Sequence, residues 1–252
     1  MRSTVALITS LLTLIAVIYQ IRIMRRANDK LIKLVSPERD VRKLLKENER
    51  AARENYRQGE FYTQLIHLLD LKAPIPSTRS WAASPDLLLT LLQYARSSNP
   101  RTIVDLGSGM STLVLAKSAP QAKIFSIDNS QEFADKTQRV LDNHQVTNVD
   151  LRVAPLSRHS SGVDWYDLSK FADISDIDLL FIDGPPGSKN PEARHPAISE
   201  CIAKLSPNAI IIIDDVSRAG ERAMAEEFAR LLPSHNLEFL DHEKGSAVLL
   251  PK

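Results

Sequence analysis

From Thr102 to Ser130 the chain reads TIVDLGSGMSTLVLAKSAPQAKIFSIDNS: a short apolar strand, a glycine turn, a helix, and a second apolar strand ending in Asp128. That order is half of a nucleotide-binding fold, and the glycines decide which nucleotide it suits. A dinucleotide fold needs a third glycine where the helix packs beneath a pyrophosphate. Here Gly107-Ser108-Gly109 is followed by Met110, Ser111 and Thr112, so that glycine is missing. A P-loop is excluded as well, because no Gly-Lys-Ser/Thr follows. What remains is an acid at the strand end (Asp105), a tight turn, and a second acid, Asp128, 21 positions after Gly107. A carboxylate there takes both hydroxyls of a ribose. The pattern suits a nucleoside without a pyrophosphate.

The surrounding sequence supplies the rest of a doubly wound α/β sheet. Apolar strands are predicted at Thr102–Leu106, Lys123–Ile127, Asp150–Val153, Asp178–Ile182 and Ala209–Ile213, separated by helical stretches. Ala209–Ile213 is apolar on both faces, as a central strand covered by helices should be. Ser84 and Pro85 open a helix over Ser84–Pro100 with Leu88, Leu91, Leu92 and Ala95 on one face. The tail NLEFLDHEKGSAVLLPK reads as two strands around a Glu-Lys-Gly turn, an antiparallel edge hairpin. The ligand crevice of such a sheet lies at the carboxyl ends of its strands.

These residues resemble the class I S-adenosylmethionine-dependent methyltransferases, over roughly Ser77 to the C-terminus. VDLGSGMSTLVLA resembles their first motif, and Asp128 matches the ribose-binding acid. STRSWAASPDLL, FIDGPPG, ARHPAI and IIIDDVSRAGE together resemble the bacterial methyltransferase 24 group. The resemblance implies a Rossmann-like methyltransferase fold and S-adenosyl-L-methionine as cofactor. It implies that the cofactor is held by Asp105, Gly107, Ser108, Gly109 and Ser111 of the turn, by Asp128 and Asn129, and by Asp183. Transfer to oxygen of a small-molecule, lipid or glycan acceptor is the expected reaction. A non-catalytic, membrane-anchored nucleoside-binding or scaffold protein that keeps the fold is the competing reading.

The catalytic expectation centres on DLLFIDGPPG. Asp183 is placed at the crevice on a stiff, donor-poor Gly184-Pro185-Pro186-Gly187 loop. Exocyclic-amine methyltransferases carry an Asp/Asn-Pro-Pro-aromatic loop at this place. The inserted Gly184, and Gly187 where the aromatic would stand, disfavour planar-amine methylation. IIIIDDVSRAGE puts Asp214 and Asp215 at the next strand end, so Asp183, Asp214 and Asp215 form a candidate Mg²⁺ site like that of catechol-type O-methyltransferases. Alternatively, Asp214 or Asp215 caps the helix near Arg218, or pairs with Arg218 or Arg194. His195 is a candidate general base or acceptor contact, its ordinary pKa lying near neutrality. Trp81 either closes over the site or packs at the edge of the body. His67, His144, His159, His235 and His242 have no partner spacing and read as packing or surface residues. Cys201, the single cysteine, reads as a small buried apolar residue.

The N-terminal quarter is of a different kind. Val5–Ile21 carries no charge, and 17 residues at ~1.5 Å each make roughly 26 Å of helix, close to the ~30 Å core of a bilayer. No small-x-small cleavage site follows, which argues against a secretory signal. Arg22, Arg25, Arg26, Lys30 and Lys33 come next, so the positive-inside bias leaves the body in the cytoplasm, single-pass at an inner or plasma membrane. Residues 1–24 are thus expected as a transmembrane anchor, 25–76 as a helical stalk, and 77–252 as the catalytic-type body. Pro37 is expected to interrupt the stalk. Leu34, Val41, Leu45 and Ala52 form a weak heptad trace, read as a solvated spacer more readily than as a dimerising coiled coil, although a homodimer through the stalk stays open. Charge follows the same division. Residues 1–60 hold 13 Lys/Arg against 7 Asp/Glu, and residues 61–252 hold 19 against 24. A mildly acidic body has no electrostatic footprint for nucleic acid.

Overall fold

The computed structural model describes residues 2–187 and 190–252, with side chains described at 12–32 and from 40 onward. The chain divides into two compact units, residues 1–56 and 57–252. Helix α1 (Arg2–Leu68) runs from Arg2 through the rest of the first unit and into the start of the second. It runs through Pro37 without a break, contrary to the expected interruption. A proline in a helix removes one hydrogen bond and crowds one carbonyl, and a helix of this length keeps its ladder on either side. Among the described residues no helix is long and apolar enough to cross a membrane. Of the apolar run expected to do so, residues 5–11 lie outside the described side chains, while Leu12, Leu14, Ile15, Val17, Ile18, Tyr19 and Ile21 are all exposed. Val41 and Leu45 of the heptad trace are exposed too.

The second unit is built on a seven-stranded sheet. In chain order its elements are α2 (Pro85–Ser97), β1 (Thr102–Leu106), α3 (Met110–Ser118), β2 (Lys123–Asp128), α4 (Gln131–Asn143) and β3 (Val149–Val153). There follow β4 (Leu156–Arg158), β5 (Asp164–Tyr166), β6 (Ile177–Ile182), α5 (Ala197–Cys201), β7 (Leu205–Asp214), α6 (Ala219–Leu231), β8 (His235–Leu240) and β9 (Ser246–Pro251). The strand order is β3-β2-β1-β6-β7-β9-β8, with β4 and β5 forming a separate small hairpin that the sequence pattern did not reveal. All neighbours up to β7 pair in parallel, and β9 runs antiparallel to both β7 and β8. The C-terminal hairpin forms as expected. Its second strand is inserted against β7, however, leaving β8 as the edge.

Strand alternation explains the layers. Val104, Leu106, Leu180, Ile182, Ile211 and Ile213 face one core, with Trp165, Tyr166, Met224 and Phe228 packed on it. Ile103, Leu179, Phe181, Ile210 and Ile212 face the other, under Leu88 and Leu91 of α2 and Leu113 of α3. Period-two side-chain geometry with both faces apolar produces a sheet covered on both sides. The histidines mostly serve packing: His235 Nε2 lies 2.9 Å from the Ala209 carbonyl, and His144 Nδ1 accepts the Lys72 N–H at 3.1 Å. Cys201 is fully buried, and burial pushes its thiol pKa up to about 12, which suits an inert core residue.

Candidate active site

The carboxyl ends of β1, β2, β6 and β7 meet where the order of the sheet reverses, between β1 and β6. Register alone brings the expected residues to one level. Leu106 pairs with Ile127 on one side and with Ile182 on the other, and Ile182 pairs with Ile213. One residue further along each strand stand Gly107, Asp128, Asp183 and Asp214. Backbone bonds hold them there: Gly107 N–H donates to the Ile127 carbonyl at 2.8 Å and Asp183 N–H to the Leu106 carbonyl at 2.9 Å.

The turn after β1 needs its glycines. Gly107 has φ +110° and Gly109 φ +152°, where a Cβ is strained. A Cβ on Gly107 would also stand 3.4 Å from the Asp183 and Gly184 backbone, whereas one on Gly109 would meet nothing within 4 Å. The turn is therefore closed toward β6 and open at Gly109. Asp128 borders it, its Oδ2 accepting from Ser108 N–H at 3.1 Å and Ser108 Oγ at 2.6 Å, its Oδ1 from Ser130 N–H at 2.8 Å. A carboxylate has about four acceptor positions, so capacity remains for a ligand. Asn129, half-buried, follows directly.

Two residues expected at the cofactor are bonded to each other inside the fold. Asp105 is fully buried and accepts from Thr112 Oγ1 at 2.6 Å, Ser111 Oγ at 3.2 Å and Ser126 Oγ at 3.4 Å. Ser111 is thereby spent on Asp105. Thr112 stands where a dinucleotide fold has its third glycine, and its hydroxyl also accepts the Gly109 N–H at 3.1 Å. That donor is not free for a pyrophosphate. Burial pushes the Asp105 pKa up to about 7, partly offset by the Thr112 and Ser111 hydroxyls.

Across the crevice, Asp183, Asp214 and Asp215 converge, their ligand-type oxygens within 4.8 Å of one another. They do so around Arg194, which is 4% exposed. Its Nη2 donates to Asp183 Oδ1 at 3.1 Å, to the Asp183 carbonyl at 2.6 Å and to Asp215 Oδ2 at 2.9 Å. Nη1 reaches the Asp214 carbonyl at 3.2 Å, and Nε the Pro185 carbonyl at 3.2 Å. Lys244 Nζ lies 3.5 Å from Asp214 Oδ2, and Arg218 Nη1 2.9 Å from Asp215 Oδ2. Glu221 closes the cluster 4.0 Å from Arg194 Nε. Burial and the charge of Asp214 hold the Asp183 pKa well above the usual carboxylate range, against the opposing pull of Arg194 and Lys244.

This arrangement does not fit Mg²⁺. Every one of the three acids already faces a cation, and a single guanidinium nitrogen takes one oxygen of Asp183 and one of Asp215. The alternative pairing of Asp215 with both Arg218 and Arg194 is what forms.

His195 is not brought to the cluster. Its Nε2 lies 2.9 Å from Glu227 Oε2 on α6, and the side chain is 44% exposed. Trp81 is 79% exposed. Tyr166 escaped the sequence reading. It lies in a three-residue strand too short for a periodic signal, yet a Cβ at position 184 would collide with its hydroxyl, which explains Gly184. Burial holds that hydroxyl protonated, far above its ordinary pKa.

The raised pKa of Asp105 has a sign that can be checked. A buried acid that binds its proton more tightly when folded contributes stability below its unfolded pKa of about 3.9, and that contribution is lost as pH rises through about 7. Wild-type protein is therefore expected to lose more stability than Asp105→Asn between about pH 5 and pH 8, read from urea unfolding midpoints. Parallel curves for the two proteins would show Asp105 ionised throughout.

Known proteins resemble this chain in fold. A family model described as a methyltransferase domain matches residues 104–216. No curated protein sequence matches the chain. Among solved structures, an O-methyltransferase from Bacillus cereus in complex with SAH aligns at 17% identity and TM-score 0.58, covering 80% of this chain and 97% of that one. A SAH-bound methyltransferase from Podospora anserina aligns at 16% identity and TM-score 0.54, covering 77% and 87%. An O-methyltransferase from Streptomyces achromogenes involved in tomaymycin synthesis, in complex with SAM, aligns at 17% and TM-score 0.53, covering 68% and 82%. The body of this chain thus has the fold of the class I S-adenosylmethionine-dependent methyltransferases, with residues 104–216 matching their domain.

Proposed function

We propose that the body binds S-adenosylmethionine and transfers its methyl group to an oxygen of a small-molecule, lipid or glycan acceptor. One observation carries the reading: the turn opens at Gly109 beside a buried Asp128 with acceptor capacity to spare, while Thr112 consumes the amide a pyrophosphate would need. Asp128 and Asn129 hold the ribose, and Gly107, Ser108 and Gly109 pass beneath the rest of the nucleoside. The bound cofactor supplies a methyl group already activated on a sulfonium, which leaves alignment and deprotonation to the protein.

Asp183 performs the deprotonation. An acid of ordinary pKa is a weak base toward a hydroxyl, and the raised pKa of Asp183 moves it toward the operating range. The acceptor's O–H proton would go to a carboxylate oxygen of Asp183 as the acceptor oxygen takes the methyl group, and the methyl–sulfur bond of the donor would break to leave S-adenosylhomocysteine. Arg194 keeps that carboxylate oriented through Oδ1, leaving Oδ2 for the acceptor. Tyr166, protonated and adjacent to Gly184, limits the depth of the crevice. The competing reading, a nucleoside-binding scaffold without turnover, predicts the same cofactor affinity and no transfer.

The N-terminal helix belongs to the proposal as a membrane attachment with the body on the cytoplasmic side. Its support is the uncharged run Val5–Ile21, the exposed apolar side chains of its described part, and the basic residues that follow. Carbonate extraction with protease protection in cells tests this: retention in the pellet with a body shielded from outside is expected, and release of the full-length chain contradicts it. For the chemistry, calorimetry is expected to show binding of S-adenosylmethionine and S-adenosylhomocysteine in preference to NAD. Asp183→Asn should leave that affinity within a few-fold and lower turnover on an identified acceptor by about 10²-fold or more. Near-normal turnover of the variant would remove Asp183 from the chemistry.

A further inference from the structure

We propose that Arg194 stands as a built-in replacement for a divalent cation, so that the three-aspartate cluster works without metal. The inference concerns the same crevice as the proposed methyl transfer, but it rests on the cluster's geometry alone.

Three aspartates at the ends of neighbouring parallel strands are an oxygen-rich, closely spaced set of the kind a hard cation takes. In this chain a guanidinium fills the space between them. Arg194 satisfies its donors with five acceptors: two carboxylate oxygens, on Asp183 and Asp215, and three backbone carbonyls, of Asp183, Pro185 and Asp214. Those carbonyls come from the ends of β6 and β7 and from the Gly-Pro-Pro-Gly loop, so the guanidinium also ties together the elements that form the crevice. An Arg cannot leave by losing its proton, and at 4% exposure its charge is not dispersed by water. A dication entering the cluster would meet a permanent positive charge within hydrogen-bond distance of two of its three ligands.

Charge balance points the same way. Asp183, Asp214, Asp215 and Glu221 meet Arg194, Lys244 and Arg218, four acids against three cations among the described residues. With all seven groups charged the cluster carries four negative against three positive charges, a surplus of one that is too small for a dication to balance. Asp215 is fixed for this pairing, with its backbone at φ +66° and its N–H donated to Asp214 Oδ1 at 2.7 Å. Arg194 is thus a positioning residue. It orients Asp183 and offsets the charge of its neighbours.

Mn²⁺ is the probe, since it suits carboxylate sites and its free aquo form gives an electron paramagnetic resonance signal that disappears on binding. On the full-length chain, wild-type protein is expected to leave the signal intact through the micromolar range. Arg194→Met, which keeps the length of the side chain and removes its charge and donors, is expected to gain Mn²⁺ affinity by at least about tenfold, and Arg194→Met with Asp214→Asn to lose it again. A far-ultraviolet circular dichroism spectrum and a urea unfolding transition like those of the wild-type protein report that the variants fold. Micromolar Mn²⁺ binding by wild-type protein that Asp214→Asn abolishes would overturn the proposal, as would a folded Arg194→Met that gains no site. Should Arg194→Met not fold, the wild-type titration decides between the same two results. None of these readouts requires methyl transfer, so the proposed reaction can fail while this inference stands.

Discussion

The crevice depends on one buried guanidinium. Arg194 joins the carbonyl ends of β6 and β7 to the Pro185 loop and holds two aspartates at hydrogen-bond distance from a single nitrogen. Buried charge is costly, and a network of this kind persists only when every partner is satisfied. Removal of Arg194 would leave a group of desolvated carboxylates repelling one another at the centre of the strand ends. The raised pKa values of Asp183 and Asp214 are the residue of that tension: burial lifts both, and Arg194 and Lys244 pull them back in part. A carboxylate with a raised pKa at the C-terminal ends of a parallel sheet is the group a proton-abstracting site requires.

The nucleoside half of the crevice is built by different means. It uses neutral hydroxyls and backbone, with Ser108, Ser130 and Thr112 arranged around two acids of opposite fate. Asp105 is sealed from solvent and surrounded by hydroxyls, while Asp128, 21 residues after Gly107 and one strand over, keeps acceptor capacity toward the open turn. The missing third glycine proves to be a positive feature. Thr112 bonds both Asp105 and the Gly109 amide, stiffening the turn and removing the donor on which a dinucleotide would rely.

Much of the sheet was legible because apolar runs on doubly covered strands are long and uninterrupted. The five expected strands correspond to β1, β2, β3, β6 and β7 within a few residues at each end. The β4–β5 hairpin was not legible, since three-residue strands such as Asp164–Tyr166 carry no period, and Tyr166 went unseen with it. At the site, strand ends placed Asp128, Asp183 and Asp214 correctly because register is a consequence of topology. Asp105 and Ser111 are turned inward by local hydroxyl bonds, which spacing does not encode. In EARHPAI the histidine drew attention for its pKa, yet three acids at adjacent strand ends demand a cation, and the arginine one position earlier meets that demand. Electroneutrality was the available signal, and it outranks the chemical versatility of His195. The continuous helix through Pro37 shows the reverse case, a local breaker overridden by the length of favourable sequence on both sides.

The central claim is that the Gly107–Gly109 turn and Asp128 hold S-adenosylmethionine while Arg194 keeps Asp183 facing the acceptor. A crystal structure of the full chain grown with S-adenosylhomocysteine tests both parts at once. The account predicts ribose hydroxyls on Asp128, adenosine along the open side of Gly109, and the sulfur directed toward Asp183 with the Arg194 guanidinium still between Asp183 and Asp215. A nucleoside bound away from Asp128, or an Arg194 swung out of the cluster, would contradict it.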